Sequence, residues 1–125
     1  MAKKKVFVSY DFDNDKVLKD FIIGQTKHSD SPFEVQDHSL KEAAPEVQWE
    51  AKARAAISRA EIFIVMLGPK TARARGVRKE VAMAVALQKR RIQIIGYQTG
   101  DLSWSVPNGG RTYRWNWENL KNLLS

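Results

Sequence analysis

Apolar residues fall in short runs separated by stretches of helical periodicity, and this alternation continues from one end of the chain to the other. Val6–Tyr10 is a β-branched and aromatic run closed by Asp11, Asp13, Asn14 and Asp15, which offer N-caps to a helix carrying Val17, Leu18, Phe21 and Ile22. Phe33–Asp37 alternates as a half-covered edge strand does, with Phe33 and Val35 against Glu34 and Gln36. Trp49, Ala53, Ala56, Ile57 and Ala60 then recur at helical spacing, with Lys52, Arg54 and Arg59 turned outward, predicting a helix from Val47 to Arg59. Ile62–Leu67 is the most apolar run in the chain and reads as the central strand, stopped by Gly68-Pro69.

Beyond a basic loop, Gly76 precedes a predicted helix from Val77 to about Arg90, and Ile92–Tyr97 reads as a further buried strand. A long loop from Gln98 to Gly110 leads to an expected edge strand at Thr112–Trp115. A last helix from near Asn116 buries Trp117, Leu120, Leu123 and Leu124. Strands feeding helices feeding strands require right-handed crossovers. The expected fold is therefore α/β with a parallel sheet, and its ligand crevice lies at the carboxyl ends of the strands.

The 125 residues fit one domain, 1–125, and a chain of this size buries about two-thirds of its unfolded surface without covalent staples. With no cysteine there is no disulfide, thiolate zinc site or cysteine nucleophile. His28 and His38, both in polar loops, are too few for a histidine-built metal centre, so no metal site is expected. Catalysis is left to carboxylates, hydroxyls or bases. The 21 basic and 14 acidic residues give +7, which favours anionic partners but is spread mainly over expected helix faces. Nucleic-acid binding rests on that charge alone, without a recognisable motif. The opening apolar run, broken by Asp11, is too short for a signal peptide or membrane span, and the expected location is cytoplasmic.

The strand ends that meet at the crevice supply Ser9, Tyr10, Asp11 and Phe12, then Asp37 to Pro45, then Gly68 to Gly76. Beside them Glu80 stands out. At roughly 100° per residue it lies about 60° from Val77 and about 40° from Ala84, on the apolar half of its helix, while Arg78, Lys79, Lys89 and Arg90 occupy the opposite arc. A first-turn carboxylate facing the sheet is where burial and the helix dipole both act on ionisation, although a first-turn Glu also stabilises its own helix.

The run Ala60-Glu61-Ile62-Phe63-Ile64-Val65-Met66-Leu67-Gly68-Pro69-Lys70-Thr71, then Val77-Arg78-Lys79-Glu80-Val81 and Ile92-Gln93-Ile94-Ile95-Gly96, resembles the Toll/interleukin-1 receptor (TIR) superfamily. More narrowly it is similar to small bacterial TIR-like domains of the Thoeris antiphage defence type. Val6-Phe7-Val8-Ser9-Tyr10 matches that family's first strand, and Trp115-Asn116-Trp117 its ending. The family usually has Trp where Gly76 stands. The resemblance implies a flavodoxin-like three-layer sandwich with a five-stranded parallel sheet. The expected order is 2-1-3-4-5, with Ile62–Leu67 at the centre because its long apolar run needs cover on both faces.

In enzymatic members the resemblance further implies cleavage of NAD at the nicotinamide–ribose bond by the glutamate that Glu80 matches, with NAD as substrate and no cofactor. Nicotinamide leaves as a neutral ring and needs no proton, so a single carboxylate suffices to hold the ribose hydroxyls and stabilise the oxocarbenium-like charge. Tyr10 or Phe12 is then placed to stack on nicotinamide, Ser9, Asp11 and Asp37 line the crevice, and Arg78, Arg73 or Arg75 is a candidate for the pyrophosphate. Bland alternatives stand beside these roles: rim packing for the aromatics, helix capping for Asp11, solvation for the arginines. The family also implies self-association, and a signalling role implies a downstream effector protein that receives the nucleotide product. Two other readings remain open: a non-catalytic TIR-like interaction module, and an enzyme similar to nucleoside deoxyribosyltransferases. A response-regulator receiver is disfavoured because Met66-Leu67-Gly68 offers no phosphoacceptor aspartate.

Overall fold

The computed structural model describes residues 4–11, 33–35, 46–95, 97 and 102–114. The expected helix around Val17–Ile22, the loop from Asp37 to Pro45, Phe12, His28, His38, Trp115 and the closing helix lie outside the described residues.

Strand β1 (Lys4–Ser9) pairs in parallel with β2 (Phe33–Val35) on one side and β3 (Ile62–Leu67) on the other; β3 pairs with β4 (Arg90–Ile95), and β4 with β5 (Arg111–Arg114), again in parallel. The α/β class and the parallel pairing expected from the sequence are thus present. All six residues of β3 are buried, as a strand with neighbours on both edges and cover on both faces demands. Phe7 and Phe63 are register partners and their rings stack, 5.7 Å between centroids and 6° between planes.

The side chains of the sheet divide between two cores, as the two-residue repeat of a strand requires. Phe7, Phe63, Val65, Leu67 and Ile95 point toward helices α1 (Glu46–Arg59) and α2 (Arg75–Ala86), where Ala53, Ala56, Ile57, Val77, Val81 and Ala84 meet them. Val6, Val8, Tyr10, Ile62, Ile64, Met66, Ile92 and Ile94 form the core of the other face. On α1, Lys52, Arg54 and Arg59 are exposed, as its periodicity predicts.

Helix α2 departs from expectation at both ends. It begins at Arg75, so Gly76 lies inside it, and it stops at Ala86 instead of Arg90. The stop is a Schellman turn: Gln88 adopts the left-handed conformation (φ 56°), its N–H donates to the Val85 carbonyl at 3.0 Å, and the Lys89 N–H donates to the Ala84 carbonyl at 2.9 Å. Lys89 and Arg90 therefore do not belong to a helical arc. Lys89 instead donates from Nζ to the Ser58 carbonyl at 2.9 Å, serving one of the carbonyls at the end of α1. Strand β4 accordingly starts at Arg90 and ends at Ile95, leaving Tyr97 outside it, and β5 begins one residue earlier than expected, at Arg111.

Gln93, a polar residue 2% exposed within β4, holds the segment before β5. Its Nε2 donates to the carbonyls of Val106 (3.1 Å) and Gly110 (2.8 Å), and its Oε1 accepts from the Val106 N–H (2.6 Å). The buried amide thus makes three hydrogen bonds with loop backbone, which offsets the cost of taking it from water. Among the described residues no helix is long and apolar enough to cross a membrane.

Candidate functional site

The site is built at the carboxyl edge of the sheet, where β1 and β3 end side by side with Ser9 paired to Val65. The chain leaves β3 through Gly68-Pro69, and the Gly68 N–H donates to the buried Thr71 Oγ1 at 2.6 Å, closing the turn locally. A single 3₁₀ turn, Thr71–Arg73, follows, and the Arg78 N–H to Ala74 carbonyl bond (3.0 Å) then opens α2. The helix crosses back over the sheet with Val77, Glu80, Val81 and Ala84 on its inner side, the i, i+3, i+4, i+7 stripe of a core-facing helix. Three of the four are apolar. The fourth is a carboxylic acid with none of its surface exposed.

Glu80 does not occupy the first turn of α2, as the expected boundary had it, but the second, because the helix starts two residues earlier. Direct stabilisation by unsatisfied first-turn N–H groups falls off over that distance, so the helix terminus does not explain the residue. What the structure supplies instead is Ser9: its Oγ donates to Glu80 Oε1 at 2.7 Å, and both side chains are fully buried. A carboxylate removed from water and aimed at the end of a central strand is an expensive arrangement for a helix whose stripe is otherwise apolar, and such groups concentrate at functional sites.

The other expected site residues are distributed as follows. Asp11 is buried two positions past Ser9. Tyr10 is also buried, but its side chain belongs to the core of the opposite face, with Val8 and Met66, so the structure does not bring it to Glu80. Arg78, two residues from Glu80 and thus roughly 200° around the helix, is exposed. It lines an outer groove of about 330 Å³ with Val81, Ala82, Val85 and the turn Val106–Asn108. Phe12 and Asp37 lie outside the described residues. Arg73 and Arg75, with Lys70, are exposed on the segment leaving the carboxyl end of β3. The pairing of Ser9 with Glu80, 71 positions apart, had no signal in the sequence; each residue was visible alone. Among the described residues no three His, Cys, Asp or Glu side chains are grouped as a metal ion would need.

Comparison with known proteins adds family and fold. No curated protein matches the chain. The structure of Clostridium botulinum CMP N-glycosidase, BcmB, superposes with a TM-score of 0.61 at 19% identity, covering 96% of this chain and 97% of that one, which shows a shared fold. The family model of the Thoeris protein ThsB, TIR-like domain, matches residues 7–101, a span that includes both Ser9 and Glu80. The chain belongs to the family of Thoeris ThsB TIR-like domains.

Proposed function

We propose that the protein cleaves the N-glycosidic bond of a nucleotide, with NAD as substrate and Glu80 as the catalytic carboxylate, in a signalling step of antiphage defence. The observation that carries this reading is the wholly buried Glu80, hydrogen-bonded to the end of β1 at the carboxyl edge of a parallel sheet, in a chain of the TIR-like family. In this reading the C–N bond of the nicotinamide riboside breaks with its electron pair going to the pyridine nitrogen, and nicotinamide leaves neutral. The positive charge that develops at the anomeric carbon is met by the Glu80 anion, preorganised where water is scarce. Water then closes the reaction to ADP-ribose with loss of a proton, or the adenine base of the same molecule closes it to a cyclic isomer.

The proposal extends to the whole chain: one domain over residues 1–125, completed as a flavodoxin-like three-layer sandwich with five strands in the order 2-1-3-4-5. It acts in the cytoplasm, active when self-associated and passing its nucleotide product to an effector protein. No cofactor takes part.

A second reading is favoured by the fold shared with a CMP N-glycosidase: release of a base from a nucleoside monophosphate. Cytosine, unlike nicotinamide, leaves well only when protonated, so that reaction calls for an acid in addition to the stabilising anion. Chromatography of NAD and of CMP, each incubated with the purified protein alone and with infected-cell lysate, decides. Nicotinamide with ADP-ribose or a cyclic isomer supports the proposal. Cytosine release with intact NAD replaces it by the second reading, and two intact substrates leave the non-catalytic interaction module.

A further inference from the structure

We infer that Ser9 is a positioning residue that fixes the Glu80 carboxylate through its hydroxyl, and not a contact to substrate. The inference rests on the reading of Glu80 as the catalytic carboxylate and assigns Ser9 a role different from the substrate binding expected of it.

A glutamate reaches its target through three torsions, the last of them broad, so a carboxylate on a helix is poorly aimed without a second point of attachment. Ser9 provides one. It has a single side-chain torsion and is the last residue of a strand hydrogen-bonded into the sheet beside Val65. Its side chain lies on the same sheet face as Phe7, whose ring is stacked on Phe63. The backbone that carries the hydroxyl is therefore held on a rigid element, which is the condition for sub-ångström placement of a site. At 2.7 Å the bond is short enough for a hydroxyl donating to a charged acceptor.

The two partners differ in what they can still offer. A serine has one proton to donate, and here it is committed to Oε1, whereas an ionised carboxylate has none to commit and only accepts. The donor capacity of Ser9 is thus spent inside the protein, so its hydroxyl cannot also donate to a substrate oxygen without releasing Glu80. Ser9 acts on the reaction by holding the anion where charge develops, a contribution that appears in the transition state and not in ground-state binding.

Steady-state kinetics with NAD on Ser9→Ala, Ser9→Thr, Glu80→Gln and the double variant Ser9→Ala/Glu80→Gln tests this, with melting temperatures measured alongside. For Ser9→Ala we expect kcat to fall at least about tenfold with KM within about twofold of wild type, the signature of a misaimed group. Ser9→Thr, which keeps the hydroxyl, restores most of that loss. Ser9→Ala adds no further loss to Glu80→Gln, because the two act through one carboxylate. Should removal of the donor prevent Ser9→Ala from folding, Ser9→Cys fills the same space with a weaker donor and is read by the same split. A rise in KM at constant kcat overturns the inference in favour of a substrate contact, and a lower melting temperature at constant kcat overturns it in favour of a purely structural bond. Activity retained by Glu80→Gln instead sinks the underlying reading of Glu80, whatever Ser9 does.

Discussion

A buried acid among apolar neighbours makes opposite demands on stability and on chemistry, and Glu80 is where the two separate. Its neighbours on the inner stripe of α2, Val77, Val81 and Ala84, contribute to folding by leaving water; Glu80 leaves water at a cost that the Ser9 hydrogen bond offsets only in part. In Glu80→Gln the amide oxygen can still accept from Ser9 and the desolvation of a charge disappears, so thermal melting is expected at or above the wild-type temperature. NAD turnover is expected to fall by about a hundredfold or more, the loss of about 3 kcal/mol of transition-state stabilisation typical of a removed preorganised group. A variant that melts earlier yet turns over NAD at the wild-type rate contradicts the assignment and makes the residue a structural one. That Glu80 faces the core side was legible from its position relative to Val77 and Ala84. Its depth and its partner were not, because helical periodicity fixes a direction around an axis and says nothing about what stands opposite.

Where elements end was harder to read than where they lie. Ile62–Leu67 was readable because a six-residue apolar run bounded by Gly68-Pro69 has few other places to go, and α1 because its apolar and cationic positions sort cleanly onto two sides. The end of α2 was not, since Leu87, Gln88, Lys89 and Arg90 are all good helix formers and neither Gly nor Pro marks the stop. The return to the sheet decides it: β4 must start at Arg90 to pair with Ile62, and Gln88 absorbs the turn at φ 56°. That conformation strains a residue with a Cβ, so Gln88→Gly is expected to stabilise the fold by about 0.5–1 kcal/mol and raise the melting temperature by a few degrees. No change in melting would mean that the left-handed residue carries no net strain. Gly110 is the converse case. Its φ is 93°, and a Cβ there would run into the Arg91 carbonyl oxygen, which is backbone and cannot yield cheaply. Gly110→Ala is expected to cost about 2 kcal/mol or more, and to loosen the loop that Gln93 holds, seen as faster hydrogen exchange at the Val106 amide. A wild-type melting curve for that variant would contradict the close approach.

At the scale of the molecule the charge becomes an argument about rate. The chain carries +7, and among the described residues the exposed charged side chains are nearly all cationic, including Lys52, Arg54 and Arg59 on α1 and Lys70, Arg73 and Arg75 on the segment that leaves the carboxyl end of β3. Solvated helix faces account for the first group, since a lysine or arginine is the ordinary occupant of the outer side of a helix. The second group stands at the edge where Ser9 meets Glu80, so an anionic nucleotide approaching that edge meets positive charge first. Steering of this kind is a property of the field and is erased by salt: the screening length falls from roughly 30 Å at 0.01 M to roughly 10 Å at 0.1 M. On the proposed reading, NAD kcat/KM is therefore expected to fall severalfold as ionic strength rises over that range, while kcat, which that reading assigns to Glu80 once substrate is bound, stays level. The two groups are separable by charge reversal, because Arg73→Glu and Arg54→Glu alter the net charge equally. If the local field steers, Arg73→Glu lowers kcat/KM at low salt and flattens its salt dependence, while Arg54→Glu, on the outer side of α1, leaves both near wild type. Equal effects from the two reversals would assign the salt dependence to net charge alone. A kcat/KM indifferent to salt in the unmodified chain would mean that the cations serve solubility and take no part in gathering the substrate.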